Sequence, residues 1–360
     1  MNTSSSIFST SISTLSRSGT YLKSKLYVFS PAASSTNLAL TISMSMSGIV
    51  GLVGSILMLW FLNKKKRIKS FIKTLSSEKN FHTYLSSLAI SDVLCVLISL
   101  PSVCVQFYID VFEGDWGCKI ARYLQIVFPS VTMNNLLIIS IEKYFSTRKV
   151  PRPLFYSTVK KLVLLAWIVG VVFVLLPAST FTQIRYEYNQ THYTLDCKYD
   201  KQYFPYRIIF ISFITMQYII PTFITLIISI CLIKTVMATT KKSINVFKDN
   251  AIKKMLRAAQ RRATVSVILL VLAFVIPYCF YFGQVFYTMA TQDDIRYDTD
   301  FLVRYSSAVL AYSNGAINFF IYLFSLRDFR SFLKERLVFR FRTINPMSEE
   351  TERGHDSHPT

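Results

Sequence analysis

Charge is what this sequence has least of. Only 17% of its 360 residues are Asp, Glu, Lys or Arg, against about a quarter in an average soluble domain, which excludes an ordinary water-soluble globule. Acidic residues are the scarcer sign, 20 against 40 basic, for a formal net charge of +20. No nucleophile–base pair or metal-ligand cluster stands out, which argues against an enzyme. No internal repeat, Gly/Pro-interrupted pair of spans or mid-span charge series marks a transporter or channel. Residues 1–38, rich in Ser and Thr, lack the apolar core of a cleavable signal peptide. They read as a disordered tail, leaving the first span to act as its own insertion signal.

What is abundant is apolar. Hydrophobic residues make up 52% of the chain and aromatics 15%. A bilayer span needs roughly 20 mostly apolar residues. Seven stretches qualify, near 39–62, 84–108, 119–146, 159–179, 206–236, 263–289 and 302–324. An amphipathic stretch over 325–338 follows, with Phe329, Phe332, Leu333 and Leu337 on one face and Arg330, Lys334 and Arg336 off it. A polar tail, 339–360, ends the chain. The expected fold is an all-α membrane protein: seven transmembrane helices in one bundle over 39–324, plus a short amphipathic cytosolic helix.

The positive charge is distributed, and its distribution argues for a membrane rather than nucleic acid. Lys and Arg cluster after spans one, three and five and again from Arg327 to Arg342, while the alternate loops are poor in them. By the positive-inside rule the amino terminus lies outside and the carboxyl terminus in the cytosol. The glycosylation sequons at Asn2 and Asn189 both fall on that outer side. Of six cysteines, Cys95, Cys104, Cys231 and Cys279 sit within apolar spans. Cys118 and Cys197 are near the outer surface, where an oxidising medium permits a disulfide; two unpaired thiols are the alternative.

The loop between spans four and five carries β-formers on both sides of Asn189-Gln190, which predicts a β-hairpin. The outer loops hold ten carboxylates, Asp110, Glu113, Asp115, Glu187, Asp196, Asp200, Asp293, Asp294, Asp298 and Asp300. Four cations offset them, Arg185, Lys198, Lys201 and Arg296. Such a mouth would steer a cationic ligand.

With these features the chain resembles the rhodopsin-like (class A) G-protein-coupled receptors, in their peptide-receptor branch. The resemblance rests on Gly54-Ser55, Leu88-Ala89-Ile90-Ser91-Asp92, Trp116-Gly117-Cys118, Glu142-Lys143-Tyr144, Trp167, Pro221, Pro277 and Asn318-Phe319-Phe320-Ile321-Tyr322. Their order, with Lys143 standing 25 residues after Cys118, makes it specific. It implies a Cys118–Cys197 disulfide tying down the hairpin, and plasma-membrane localisation. It also implies a G-protein-coupling end made by Glu142, Lys143, Tyr144, Arg257 and Tyr322, with arrestin as a further partner of a phosphorylated tail.

The chain departs from the pattern at several points. Ser55 stands where the family has Asn, Lys143 where it has Arg and Phe319 where it has Pro. Val275 replaces the Trp two residues before Pro277, and Ser229 the Tyr eight residues after Pro221. The family's acidic restraint at the base of span six is Arg257 here. Arg257 cannot attract Lys143, so either basal signalling is raised or other contacts hold the resting state.

The resemblance also implies a sodium site around Asp92, Thr132, Asn314 and Asn318. Oxygen donors suit such a hard cation; a protonated, hydrogen-bonded Asp92 is the alternative. No other cofactor is expected. An aminergic Asp is replaced by Gln125, and span seven lacks the Lys of retinal proteins, with Tyr312 at that position. Expected ligand-contact residues are Gln125, Gln217, Tyr218, Tyr281, Gln284, Arg304 and Tyr312. The leading expectation is a cell-surface receptor for a basic neuropeptide that activates heterotrimeric G proteins. The rivals are a small-molecule chemosensory receptor and a non-signalling decoy or scaffold of the same fold.

Overall fold

The computed structural model describes residues 26–29, 32–69, 76–111, 114–147, 154–187, 191–199, 203–245, 251–290 and 297–344. Among the described residues seven helices are long and apolar enough to cross a membrane: Ser34–Lys65, Lys79–Val105, Asp115–Ser146, Tyr156–Thr180, Phe204–Ala238, Arg261–Tyr287 and Tyr297–Ser325. They are spans one to seven. Each lies within several residues of its expected position, and most extend a turn further at one end or both.

The bundle buries one side of each span and leaves the other to lipid. Span one shows this best. Leu38, Ile42, Met46, Ile49, Val53, Ile56 and Trp60 are all exposed and recur every three or four residues, which places them on one outward stripe. The buried face holds Met44, Met58, Phe61 and Leu62.

Close helix contacts rest on glycine. A Cβ on Gly54 would sit 2.4 Å from the Cβ of Phe319, so span seven carries its Phe where the family has Pro against a glycine of span one. A Cβ on Gly170 would lie 2.6 Å from Cγ2 of Val131, which brings spans three and four together. Without a hydrophobic drive between helices in lipid, small residues that permit backbone approach are what packing has to work with.

Spans two and five each contain one π-helical segment, Cys95–Ser99 and Thr215–Ile219. Each begins six residues before a proline, Pro101 and Pro221. Proline has no N–H to give the preceding turn, and a wider turn is one way for the helix to absorb the loss. The bulge turns the side chains around it to new faces, with consequences for Gln217.

The loop between spans four and five folds as expected into an antiparallel hairpin. Strand β2, Phe181–Glu187, pairs with β3, His192–Tyr199, with Gln183 opposite Cys197 and Glu187 opposite Tyr193. The disordered tail expected up to residue 38 needs correcting. Residues Leu26–Tyr27 form strand β1, which pairs in parallel with β3, and the helix of span one already starts at Ser34. Tyr27 tilts its ring against Tyr193 at 5.6 Å and gives its hydroxyl to Asp110. Aromatic side chains on a strand edge supply the apolar contact that a Ser/Thr-rich composition hides.

After span seven a helix runs from Arg327 to Ile344, longer than the stretch to 338 that its periodicity predicts. Phe329 and Phe332 are buried on its inner face, within 5.5 Å of the Phe61 ring. Arg336, expected off the apolar face, lies 5.1 Å over the ring of Trp60. Its aliphatic stem and charge both find use there.

Candidate functional site

Three sites lie along the bundle axis. The first is a cavity under the hairpin. Span three is tied to β3 by the Cys118–Cys197 disulfide, with a Cα–Cα separation of 5.5 Å and both cysteines fully buried. The tie holds the hairpin over the bundle. Below it, aromatic side chains from β2, β3 and spans five, six and seven line the space, among them Phe181, Tyr199, Phe210, Tyr218, Tyr281 and Tyr312.

Six of the seven expected contact residues line this cavity: Gln125, Tyr218, Tyr281, Gln284, Arg304 and Tyr312. Gln217 does not. Its side chain is buried between helices, where Nε2 donates to the Ser130 carbonyl at 3.1 Å and to Asn134 Oδ1 at 3.0 Å. The π-turn over Thr215–Ile219 is the physical reason, since it resets which residues of span five face the cavity. Its neighbour Tyr218 does face in, and shares a 2.7 Å hydrogen bond with Ser130.

Of the expected rim, Glu113, Asp200, Asp293, Asp294, Lys201 and Arg296 lie outside the described residues, and four of the six described carboxylates are engaged by neighbouring side chains. Asp196 of β3 and Asp300 of span seven are buried and bound to cations. Arg304 contacts Asp196 at 3.0 Å and also grips Asp300. Lys198 lies 3.3 Å from Asp196 and 2.7 Å from Asp300. Arg122, in span three, stands 4.0 Å from Asp196. Burial alone would raise the Asp196 carboxyl, but the charges of Arg304, Lys198 and Arg122 hold it well below the usual carboxylate range. Two further rim acids are also engaged: Asp110 by Tyr27, and Asp115 by the Thr182 hydroxyl at 3.0 Å. The sequence count missed Arg122 and Arg304 because both belong to spans rather than loops.

The second site is the polar nest around Asp92. Asn318 donates to Asp92 Oδ2 at 3.0 Å. Thr132 meets Ser91 instead, at 3.0 Å between hydroxyls. The side-chain oxygens of Asn314 and Asn318 are buried and find no hydrogen-bond donor among the described residues. Oxygen donors of this kind, together with the Asp92 carboxylate, fit a hard monovalent cation by donor type. Nearby, Trp167 donates to Ser87 at 2.9 Å, and Ser87 donates to Asn135 at 2.9 Å, linking spans four, two and three.

The third site is the foot of span three. Glu142 and Lys143 are both buried, and Lys143 Nζ stands 3.8 Å from Glu142 Oε2. The same ammonium lies 4.4 Å from the centroid of the Phe81 ring, a cation–π contact that sequence reasoning missed. Tyr144 packs edge-on against Phe145, and Tyr322 is fully buried on span seven. Arg257 belongs to the helix Ala251–Ala290, but its side chain lies outside the described residues. Asn2 and Asn189 lie outside them as well.

Above this foot, Val275 is buried where the family carries Trp, and an aromatic stack takes up the room. Phe274 and Tyr278 lie nearly parallel, 4.2 Å apart, and Tyr218 stacks on Tyr278 at 6.3 Å.

Comparison with known proteins agrees with this geometry. Residues 68–322 match the family model described as 7 transmembrane receptor (rhodopsin family). The allatostatin-A receptor of Bombyx mori is 22% identical over 295 residues, covering 79% of this chain and 75% of the relative. Prokineticin receptor 2 of Bos taurus is 24% identical over 304 residues, covering 81% and 74%. Among solved structures, squid rhodopsin superposes with a TM-score of 0.66 at 16% identity, over 84% of this chain and 81% of that one. The chain therefore belongs to the rhodopsin family of seven-transmembrane receptors, a family of signalling receptors and not of enzymes.

Proposed function

We propose that this protein is a plasma-membrane receptor for an extracellular peptide and that it signals through heterotrimeric G proteins. One observation carries the reading: an aromatic cavity lies under a β-hairpin that a disulfide holds over the bundle. Relatives that are peptide receptors favour a peptide over a small chemosensory ligand. The alternating basic loops support an amino terminus outside and a carboxyl terminus in the cytosol. In this orientation the cavity receives the ligand, the aromatic stack and polar nest lie beneath it, and Lys143 meets the G protein. Asn2 and Asn189 would then carry glycans, and Thr343, Ser348, Thr351 and Ser357 would offer phosphorylation sites for arrestin.

The test is G-protein dissociation in cells exposed to a broad peptide library, for wild type and Lys143→Ala. A peptide response in wild type that disappears in the variant is expected. Silence of the wild type at verified surface expression contradicts the reading.

A sodium ion belongs to the same proposal. Asp92, Asn314 and Asn318 would hold it, and the positive charge would offset a carboxylate buried in the membrane core. Thr132 would need to leave Ser91 to join them. Asp92→Asn is expected to remove the sodium sensitivity of agonist binding, and unchanged sensitivity rules the site out.

A further inference from the structure

The hairpin-end cavity has a charge imbalance that the sequence did not show. Three cations, Arg122, Lys198 and Arg304, line it. Against them, among the described residues, stand two carboxylates, Asp196 and Asp300, and each is already engaged by both Lys198 and Arg304. Arg122 is the odd one. Its hydrogen bonds go to neutral acceptors: the Cys197 carbonyl, at 3.2 Å from Nε and 2.8 Å from Nη2, and Gln125 Oε1, at 2.9 Å from Nη1. Its nearest carboxylate contact, Asp196 at 4.0 Å, is beyond hydrogen-bonding distance. A guanidinium held by neutral acceptors presents its planar fork without a carboxylate in hydrogen-bonding distance.

Lys198 responds to the same imbalance. Burial first, and then the charge of Arg304, pull its ammonium below the usual lysine range, against the opposing carboxylates. Around the cations the walls are aromatic. The Arg122 guanidinium lies 5.8 Å from the Phe181 ring and Lys198 4.5 Å from the Tyr186 ring. An excess positive charge held among aromatic rings suits an apolar group that carries a negative charge beside it.

We propose that the cavity binds a peptide through a carboxylate, seated against Arg122 with Lys198 and Arg304 beside it. This inference rests on the peptide-receptor reading and reverses the sign of the ligand charge that the loop composition suggests. A free carboxyl terminus and an Asp or Glu side chain supply the same chemistry, and the experiment separates them.

Three peptide pools with aromatic-rich ends are compared for G-protein dissociation. One pool has free carboxyl termini and no Asp or Glu. A second is amidated but contains Asp or Glu. The third is amidated and free of any carboxylate. Responses are expected in one of the first two pools, and which one names the source. Arg122→Gln should raise the half-maximal concentration about tenfold to a hundredfold, the range of a lost charge-assisted contact. Arg122→Lys, which keeps the charge, should recover part of it. Surface labelling of each variant separates lost recognition from lost folding. A potent hit from the third pool, unaffected by Arg122→Gln, overturns the carboxylate while the peptide reading stands. Responses from none of the three pools at normal surface expression overturn both.

Discussion

The two ends of the bundle hold their charges in opposite ways. At the hairpin end five charged side chains from span three, β3 and span seven form one network, in which each carboxylate meets two cations at close range. At the foot of span three one ion pair stands out among the described residues, Glu142 and Lys143, 3.8 Å apart with the Phe81 ring beside the lysine. Breaking one contact of a network leaves the others in place. One ion pair has less reserve than a network, which suits a switch: a state held by few contacts and released by losing one. The hairpin end reads as a preformed receptor site, the foot as the part that changes.

The comparison is most severely tested by cutting the hairpin free. Cys118→Ala should cost about 2–5 kcal/mol in the stability of the hairpin end and abolish ligand response. Surface labelling together with ligand-stimulated signalling checks it, and a full response would show that the network alone positions β3. Next comes the network itself. Arg304→Gln leaves Asp300 and Asp196 with Lys198 as their close partner, a loss of about 3 kcal/mol for a mostly buried site. It should lower the thermal midpoint of the purified receptor and leave ligand-free signalling unchanged.

The foot should respond in the reverse sense. Phe81→Leu removes the ring under Lys143 at a cost of about 1 kcal/mol. Basal signalling should rise about fivefold with little loss of stability, since 1.4 kcal/mol is about tenfold in an equilibrium. Basal activity equal to wild type would mean that Phe81 does not restrain Lys143. The smallest effect concerns pH. The Asp196 carboxyl is held below the ordinary carboxylate range, so its contribution is complete above about pH 4 and is lost only as pH falls further. Agonist potency measured at pH 7.5 and at pH 5 should therefore agree within about twofold as far as this group is concerned.

How far the sequence foretold this arrangement depends on the kind of signal. The spans, the hairpin around Asn189-Gln190 and the Asn314/Asn318 face were legible because each has a local period or turn composition. The Cys118–Cys197 pair was legible through the family resemblance. Arg122 was invisible as a ligand-facing cation because nothing in span three marks the side that meets β3. Gln217 was misplaced because a π-turn has no composition of its own and shifts the helical register by one residue. Phe81 was overlooked because an aromatic beside a lysine is unremarkable in one dimension. Strand β1 was missed because pairing with β3 joins residues more than 160 positions apart. Tertiary contacts of that range leave no local pattern.

Strand β1 gives the amino-terminal tail a mechanical path into the bundle. Leu26 and Val28 bond to the backbone of Thr191 and Tyr193, β3 carries Cys197, and the disulfide hands the connection to span three. A pull on the tail, from a tethered partner or a bound surface, would be carried along this line to the helix whose far end is Lys143.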